Sequence, residues 1–217
     1  MRQNVKDFAS IVSITLPTLE PIYEFGSFQV PEQIGFADLR PLFRNKEYIG
    51  CDMREGPGVD KILDLHAIDI TSESVGTVLC FDTLEHVEYP RKALEEIHRI
   101  LKPNGIAVIS SVMDFPIHDH PYDYWRFTPE AFKSILKPFD KSFVGFQGNE
   151  SFPHTIVGIG FKNDKPSLTE FTEKYAKWQK ADKKSIRQIV LKLTPPIFIP
   201  VIASLYRTVT GLTRRST

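Results

Sequence analysis

The sequence predicts an α/β fold of the doubly wound type, and three observations lead to it. Val78 to Phe81 form a continuous apolar run, which is typical of a parallel strand buried on both faces. Apolar residues then recur at helical spacing from Leu94 to Leu101, and Pro103-Asn104-Gly105 ends that pattern. Ile106 to Ile109 start another apolar run. The alternation of strand, helix and strand predicts a mostly parallel sheet with helices on both faces.

Three further strands are predicted upstream, and each carries an acidic residue near its end. They are Pro21 to Gly26, Tyr48 to Asp52, and Lys61 to Leu65. A short helix, interrupted by its proline, is predicted from Phe36 to Phe43. Residues 1–20 are mixed in character, and we expect them to pack on the edge of the domain.

Downstream of the central strands, the chain predicts one more helix and two strands. Thr128-Pro129-Glu130 opens the helix, because threonine is a good N-cap and proline suits the first helical position. Lys141 to Gln147 and Thr155 to Lys162 have strand character and are separated by a loop with glycine, asparagine and proline. These two segments predict an antiparallel hairpin that closes the sheet.

The charge is divided unevenly along a chain whose total is neutral. Residues 162–217 carry a net charge of +8 and the remainder −8. We therefore predict a domain at 1–163 and a basic helical extension at 164–217, with an amphipathic helix over 168–192. The apolar, proline-containing segment 185–217 is expected to lie on a membrane surface, cover the sheet edge or form a homodimer contact. An ordinary solvated helix face also explains the charge.

Composition excludes several classes of protein. A net charge of zero gives no reason to expect nucleic-acid binding. Cys51 and Cys80 lie in apolar strands and are interpreted as packing thiols rather than a disulfide or metal motif. The N-terminal residues lack the apolar run of a signal peptide. These features predict a cytoplasmic protein, peripheral at the membrane if its tail binds there.

The region from Thr77 to Ser111 resembles the class I S-adenosylmethionine-dependent methyltransferases, in particular the methyltransferase type 11 group. The resemblance is carried by Glu85-His86 after the fourth strand and by the Leu101-Lys102-Pro103-Asn104-Gly105 turn before the fifth. It extends over about residues 20–163. It implies a Rossmann-like sheet with a C-terminal antiparallel hairpin, and S-adenosyl-L-methionine as cofactor.

The family's glycine loop follows the first strand and has the pattern E/D-x-G-x-G-x-G. Here it reads Glu24-Phe25-Gly26-Ser27-Phe28-Gln29-Val30, so only the first glycine is present. The resemblance places Glu24, Gly26 and Ser27 at the cofactor. Because Phe28 and Val30 replace glycines, we expect the loop to follow a different path.

The other predicted cofactor contacts follow the second, third and fourth strands. A carboxylate at Asp52 can accept hydrogen bonds from both ribose hydroxyls. The resemblance implies that residues at the end of the third strand contact the adenine of the cofactor. Residues at the end of the fourth strand would contact its methionine part. The remaining residues of the set are Met53, Asp64, Leu65, Asp82 and Thr83. A dehydrogenase would normally carry G-x-G-x-x-G after the first strand, and that motif is absent.

The segment from Met113 to Thr128 combines titratable and aromatic residues and should wall the acceptor pocket. His118 is the first candidate for a general base and His120 the second, because histidine exchanges protons near neutral pH. Asp119 or Asp123 is expected to orient it.

The same segment offers contacts for a substrate. Tyr124 and Trp125 can stack on a ring, and Arg126 can hold a phosphate or carboxylate. The alternative is that Trp125, Arg126 and Phe127 anchor the loop to the domain. His118 and His120 would point the same way in an extended segment, but the sequence shows no third ligand, so no metal is predicted.

The predicted function is methyl transfer from S-adenosylmethionine, with O-methylation of a small molecule or glycan-type acceptor. The glycan class comes from the resemblance alone, since related enzymes with the Tyr124-Trp125-Arg126 motif often act on glycans and their precursors. The altered glycine loop leaves one alternative, a catalytically inactive methyltransferase-like protein that serves in binding or assembly.

Overall fold

The computed structural model describes residues 1–118, 122–163 and 166–181. Seven strands form one sheet in the order β3-β2-β1-β4-β5-β7-β6. The strands are β1 (Ile22–Phe25), β2 (Tyr48–Asp52), β3 (Lys61–Ile62), β4 (Val75–Phe81), β5 (Leu101–Val112), β6 (Lys141–Asn149) and β7 (Phe152–Phe161). The helices are α1 (Gln3–Thr15), α2 (Pro90–Ile100), α3 (Pro129–Ile135) and α4 (Thr169–Lys180).

The sheet is parallel from β3 through β5 and ends in an antiparallel pair. β1 pairs in parallel with β2 and β4, and β4 pairs in parallel with β5. β7 lies antiparallel to β5, and β6 antiparallel to β7. The predicted Rossmann-like class I methyltransferase architecture, with its C-terminal antiparallel hairpin, is therefore confirmed.

Both faces of the central strands are buried, as the continuous apolar runs predict. Side chains alternate across a strand, so neighbours in β4 enter different clusters. Val78 and Cys80 join the cluster that includes α2 and α3. Leu79 and Phe81 join the cluster that includes α1 and α4. This double burial explains why β4 reads as uninterrupted apolar sequence.

The N-terminal segment is an amphipathic helix, whereas the sequence analysis described it only as mixed. Val5, Phe8, Ala9 and Val12 repeat at helical spacing and are fully buried. Their pattern was available in the sequence but is short and interrupted by polar residues. The helix covers the sheet face that it shares with α4.

Several predicted boundaries change. The Phe36 to Phe43 helix is only a 3-10 turn at Arg40–Phe43, because Pro41 cannot donate to a longer helix. α2 ends at Ile100, and Leu101 begins β5. The connections β2–β3 and β3–β4 contain no helix in the described residues, so the predicted alternation of strands and helices is incomplete there.

Helix α4 belongs to the compact unit, which extends to Ala181 and thus beyond the boundary predicted at 163. Phe171 and Trp178 are buried against the sheet face that α1 covers. The indole nitrogen of Trp178 donates to the carbonyl oxygen of Asn4 at 2.8 Å. Gln147 Nε2 donates to the Trp178 carbonyl at 2.7 Å. Residues 182–217, including most of the predicted extension, lie outside the described residues.

Candidate active site

The candidate site lies at the carboxyl edge of the parallel strands. The connections from β1 and β4 leave this edge from adjacent strands, where the strand order reverses direction. Doubly wound sheets bind ligands at such a switch point. The segments that follow β1, β2, β3, β4 and β5 carry most of the predicted cofactor and acceptor residues.

The loop after β1 begins with a glycine that the geometry requires. Gly26 has φ +82°, and a Cβ there would lie 2.0 Å from Thr83 Oγ1. The backbone nitrogens of Gly26 and Ser27 donate to the Cys51 carbonyl at 2.9 and 3.0 Å. These contacts bring the ends of β1, β2 and β4 close together.

Phe28 and Val30 stand where the family has glycines, and the loop after β1 crosses the end of β2. Phe28 packs under Gly56, where a Cβ would lie 2.3 Å from its ring. The Arg54 guanidinium lies 4.3 Å from the centroid of the same ring. Gln29 N donates to the Pro57 carbonyl at 2.9 Å. The expected change of path is thus a close packing of the β1 loop on the loop after β2.

The predicted strand-end acids stand at this edge. Asp52, 9% exposed, ends β2, and its Oδ1 accepts from Arg54 N at 3.1 Å and from Arg54 Nε at 3.3 Å. Met53 beside it is exposed. Asp64 Oδ1 accepts from His66 N at 2.8 Å, while Leu65 is buried in the core.

Glu24 differs from its predicted place at the cofactor. Its side chain is 3% exposed and accepts a hydrogen bond from Tyr48 Oη at 2.7 Å. Burial raises the pKa of Glu24 to about 7, although the Tyr48 hydrogen bond lowers it. The Glu24 carboxyl group therefore lies in the protein interior, below the carboxyl edge of the sheet. Ser27 Oγ is also buried and has no hydrogen-bond partner among the described residues.

Asp82, which follows β4, is held by a residue that the sequence analysis missed. Arg2 Nη2 and Nε reach its two carboxylate oxygens at 2.8 and 3.0 Å. Ser110 Oγ donates to Oδ1 at 3.0 Å. Burial by itself raises the pKa of Asp82, but Arg2 and Ser110 outweigh it and hold that pKa below its usual value. A single arginine at the chain's beginning gave no signal of this role.

Thr83 stands beside Asp82 and closes the turn. Its Oγ1 lies 2.9 Å from the Phe81 carbonyl oxygen and 3.3 Å from the Phe25 carbonyl oxygen, and its hydroxyl can donate to either. The side chain therefore ties the end of β4 to the end of β1.

The first candidate base, His118, lies against Asp123. Its backbone nitrogen donates to Asp123 Oδ2 at 2.8 Å, and its Nδ1 is 3.2 Å from the same oxygen. Nδ1 is also 3.1 Å from the Pro116 carbonyl oxygen. Of the two aspartates proposed to orient the base, the structure places Asp123 beside it. Asp119 and His120 lie outside the described residues.

The Arg126 guanidinium, predicted to bind substrate, is held by contacts within its own loop. Its Nη1 and Nη2 reach the two oxygens of Asp123 at 2.5 and 2.7 Å. The other donors go to the carbonyl oxygens of Phe115, Trp125 and Pro116 at 3.1, 2.7 and 2.9 Å. These five contacts match the five N–H groups of a guanidinium. The hydrogen bonds with Arg126 lower the pKa of Asp123 strongly.

The neighbouring aromatic residues have mixed roles. Trp125 Nε1 donates to the Val87 carbonyl at 3.0 Å, so this indole helps to anchor the loop. Tyr124 and Trp125 are nevertheless 42% and 44% exposed as residues. Phe127 is buried in the core. The loop-anchoring alternative therefore describes Arg126 and Phe127, whereas Tyr124 and Trp125 keep an accessible aromatic surface.

The turn after β4 brings two more side chains to the same place. Glu85 is buried, and its Oε2 accepts from Ser111 Oγ at 2.6 Å, while Oε1 has no hydrogen-bond partner in the described part of the chain. The pKa of Glu85 is raised to about 8, mainly by burial and secondly by the negative charge of Asp82. The His86 ring lies 4.7 Å from that of His118. In the sequence, Glu85 and His86 carry the family resemblance but indicate no catalytic role.

Among the described residues, none of the helices has the length and apolar character needed to cross a membrane.

Comparisons with known proteins agree with this architecture. A family model described as a methyltransferase domain matches residues 44–109. A search of curated proteins finds no significant match. An S-adenosylmethionine-dependent methyltransferase from Archaeoglobus fulgidus is similar in structure, with a TM-score of 0.55 at 16% identity over 75% of this chain and 95% of that one.

Two further solved structures show the same fold. A possible histamine N-methyltransferase from Thermotoga maritima has a TM-score of 0.54 at 18% identity, over 74% of this chain and 89% of that one. The Burkholderia thailandensis 1,6-didemethyltoxoflavin-N1-methyltransferase, with bound S-adenosylhomocysteine, has a TM-score of 0.55 at 17% identity, over 75% and 79%. The chain therefore contains a segment that matches a methyltransferase domain, and it shares the fold of class I S-adenosylmethionine-dependent methyltransferases.

Proposed function

We propose that the protein methylates a hydroxyl group of a small-molecule or glycan-type acceptor. The observation that supports this best is the position of His118 at the carboxyl edge, with Asp123 beside its Nδ1. An alcohol must lose its proton to become a good nucleophile, and a positioned histidine can accept one near neutral pH. An amine acceptor needs such a base less, because its neutral form is already nucleophilic.

The residues at the edge suit the two ends of S-adenosylmethionine. Asp52 offers a carboxylate to the ribose hydroxyls, and the Gly26 turn lets the backbone approach closely. Asp82, held at the end of β4 by Arg2 and Ser110, remains our candidate for the ammonium of the methionine group. Asp64 remains our candidate for the adenine side. The bound cofactor supplies an electrophilic methyl group on a sulfonium.

The chain's own contribution to the reaction would be alignment and proton transfer. The contacts of His118 Nδ1 with Asp123 and the Pro116 carbonyl favour the tautomer with hydrogen on Nδ1. Nε2 is then the basic nitrogen that takes the acceptor's proton. The exposed rings of Tyr124 and Trp125 would stack on the acceptor.

Calorimetric titration with S-adenosylmethionine and S-adenosylhomocysteine tests the cofactor site. Asp52→Ala should weaken binding of both by about 10-fold or more, since two charge-assisted hydrogen bonds are lost. Asp69→Asn, which removes an exposed carboxylate after β3, is the matched control and should bind normally. Equal affinity in Asp52→Ala and the control would contradict the assignment of the ribose site.

Methyl transfer from labelled cofactor to a panel of acceptors tests the reaction. Because two structural neighbours are named as N-methyltransferases, the panel pairs each hydroxyl compound with its amine analogue. We expect label on the hydroxyl compounds, and a fall in kcat of about 100-fold or more in His118→Ala. Preferential labelling of the amines would overturn the O-methylation proposal. Cofactor binding without any turnover would favour the binding-protein alternative.

We further propose a cytoplasmic location with peripheral membrane contact through residues 185–217. Three prolines, apolar residues and the Arg214-Arg215 pair support it, together with the net charge of +8 over 162–217. The intact chain should sediment with vesicles that contain phosphatidylserine, and a chain ending at 184 should not. No sedimentation of the intact chain would remove the membrane proposal, and a change from dimer to monomer on truncation would assign the tail to a homodimer contact.

A further inference from the structure

Three potential metal ligands meet between the loops that follow β4 and β5. The ligand atoms of Glu85, His86 and His118 all lie within 4.8 Å of one another. Glu85 and His86 lie in the turn directly after β4, and His118 follows β5, its neighbour in the sheet. The parallel pairing of β4 and β5 therefore brings together groups that are about 30 positions apart in the sequence.

Glu85 supplies an independent sign that a ligand belongs here. Its Oε2 is fixed by Ser111 Oγ at 2.6 Å, whereas the buried Oε1 has no hydrogen-bond partner among the described residues. The side chain is fully buried, and Asp82 lies close enough to act on it electrostatically. An unpaired acceptor in the interior is unfavourable, and a coordinated cation would satisfy it.

The two histidines are held as metal-binding histidines usually are. His86 Nδ1 lies 2.5 Å from the Tyr122 carbonyl oxygen. His118 Nδ1 lies 3.1 Å from the Pro116 carbonyl oxygen and 3.2 Å from Asp123 Oδ2. In metal sites, a carbonyl or carboxylate on one ring nitrogen of a histidine orients the ring, while the other nitrogen coordinates the ion.

We propose that Glu85, His86 and His118 bind a divalent transition-metal ion such as Zn²⁺. Two imidazoles and one carboxylate suit this class of ion and leave a coordination position open. The assignment replaces the expectation of no metal, for which the sequence offered only the His118 and His120 pair.

The role of the ion in catalysis rests on the proposed function, whereas its binding does not. An ion bound by these three residues would lower the pKa of a coordinated acceptor hydroxyl, so that its proton could pass to water. The oxygen lone pair then forms a bond to the methyl carbon while the carbon–sulfur bond breaks and its electron pair stays on sulfur. His118 acts in that state as a ligand, and in the metal-free protein as the base.

Metal titration of the purified, untagged full-length chain tests the site directly. After treatment with a chelator and dialysis, the protein is titrated with Zn²⁺ by calorimetry and with Co²⁺ by visible absorption. We expect about one Zn²⁺ per chain and the visible bands of a low-symmetry Co²⁺ site. Glu85→Gln, His86→Ala and His118→Ala should each weaken Zn²⁺ binding by about 10-fold or more.

Two controls make the result specific. His98→Ala removes a histidine that packs on Phe139, away from the cluster, and should bind Zn²⁺ normally. Circular dichroism and cofactor titration of each variant check that the fold persists. No Zn²⁺ binding by the wild type, or equal binding by all variants, would overturn the site. If His120→Ala lost Zn²⁺ binding while His86→Ala kept it in full, the proposed site would be overturned in favour of the His118 and His120 pair.

Metal binding and methyl transfer can fail separately. If Zn²⁺ binds through the three residues but S-adenosylmethionine does not bind, the proposed function fails and the metal site stands. If the cofactor binds and turnover persists without Zn²⁺ binding, the metal inference fails and the general-base mechanism of His118 stands.

Discussion

Replacing Glu24 by glutamine should change how the stability of the protein depends on pH. Glu24 lies within β1, is 3% exposed and accepts a hydrogen bond from Tyr48 Oη at 2.7 Å. Burial raises the pKa of its carboxyl group from 4.5 to about 7. Burial also raises the pKa of Tyr48 well above its ordinary value, so the phenol remains a donor throughout.

The sign of the effect follows from proton binding. Between pH 4.5 and about 7 the folded chain holds a proton on Glu24 that the unfolded chain releases. The free energy of unfolding therefore falls as the pH rises through this window, and the loss is complete above about pH 7. At about 1.4 kcal/mol for each pKa unit, the loss amounts to about 3 kcal/mol.

Glutamine keeps an oxygen that can accept from Tyr48 but does not ionise. The free energy of unfolding of Glu24→Gln, relative to wild type, should therefore rise by about 3 kcal/mol between about pH 5 and pH 8. Urea denaturation at several pH values measures it. Glu32→Gln removes an exposed carboxylate and should keep a constant difference from wild type. A constant difference for Glu24→Gln as well would refute this account of the buried carboxyl group.

Two other substitutions, with Gly35→Ala as a reference for one of them, test the loops at the site. Gly26→Ala should lower the free energy of unfolding by about 3 kcal/mol, because it combines a strained positive φ with a Cβ 2.0 Å from Thr83 Oγ1. Gly35→Ala isolates the first effect, since Gly35 has φ +77° and no atom within 4 Å of the added Cβ, and should cost about 1 kcal/mol in urea denaturation. Equal losses in the two variants would mean that the contact with Thr83 is readily relieved. Arg126→Lys should cost about 2 kcal/mol and make the loop from Tyr122 to Trp125 more sensitive to limited proteolysis, because lysine cannot reproduce the forked contacts with Asp123. Unchanged stability and unchanged cleavage would show that the carbonyl contacts alone hold the loop.

Local sequence pattern accounts for most of the central sheet. β2 begins and ends where the sequence analysis placed it, at Tyr48 and Asp52. Thr128 caps α3 as expected, with its hydroxyl accepting from Ala131 N at 3.1 Å. These features depend on periodicity, caps and turns, which neighbouring residues determine together.

The sequence is least informative where residues distant along the chain determine a side chain's contacts. Arg126 has the chemistry to bind a phosphate, but Asp123 and three carbonyl oxygens use its donors. Glu24 matches the first position of the family motif, yet Tyr48 and the interior hold its carboxyl group. Residue type and spacing do not reveal these competing hydrogen-bond partners.

The sequence by itself determined the fold class, the order of the strands along the chain and which loops carry polar residues. Only the tertiary structure decided that Arg2 meets Asp82 and that Glu85, His86 and His118 share one place. Burial patterns recur within a few residues and can be read along the chain. A site, in contrast, is assembled by strand pairing across the sheet, which brings together side chains whose separation in sequence carries no local signal.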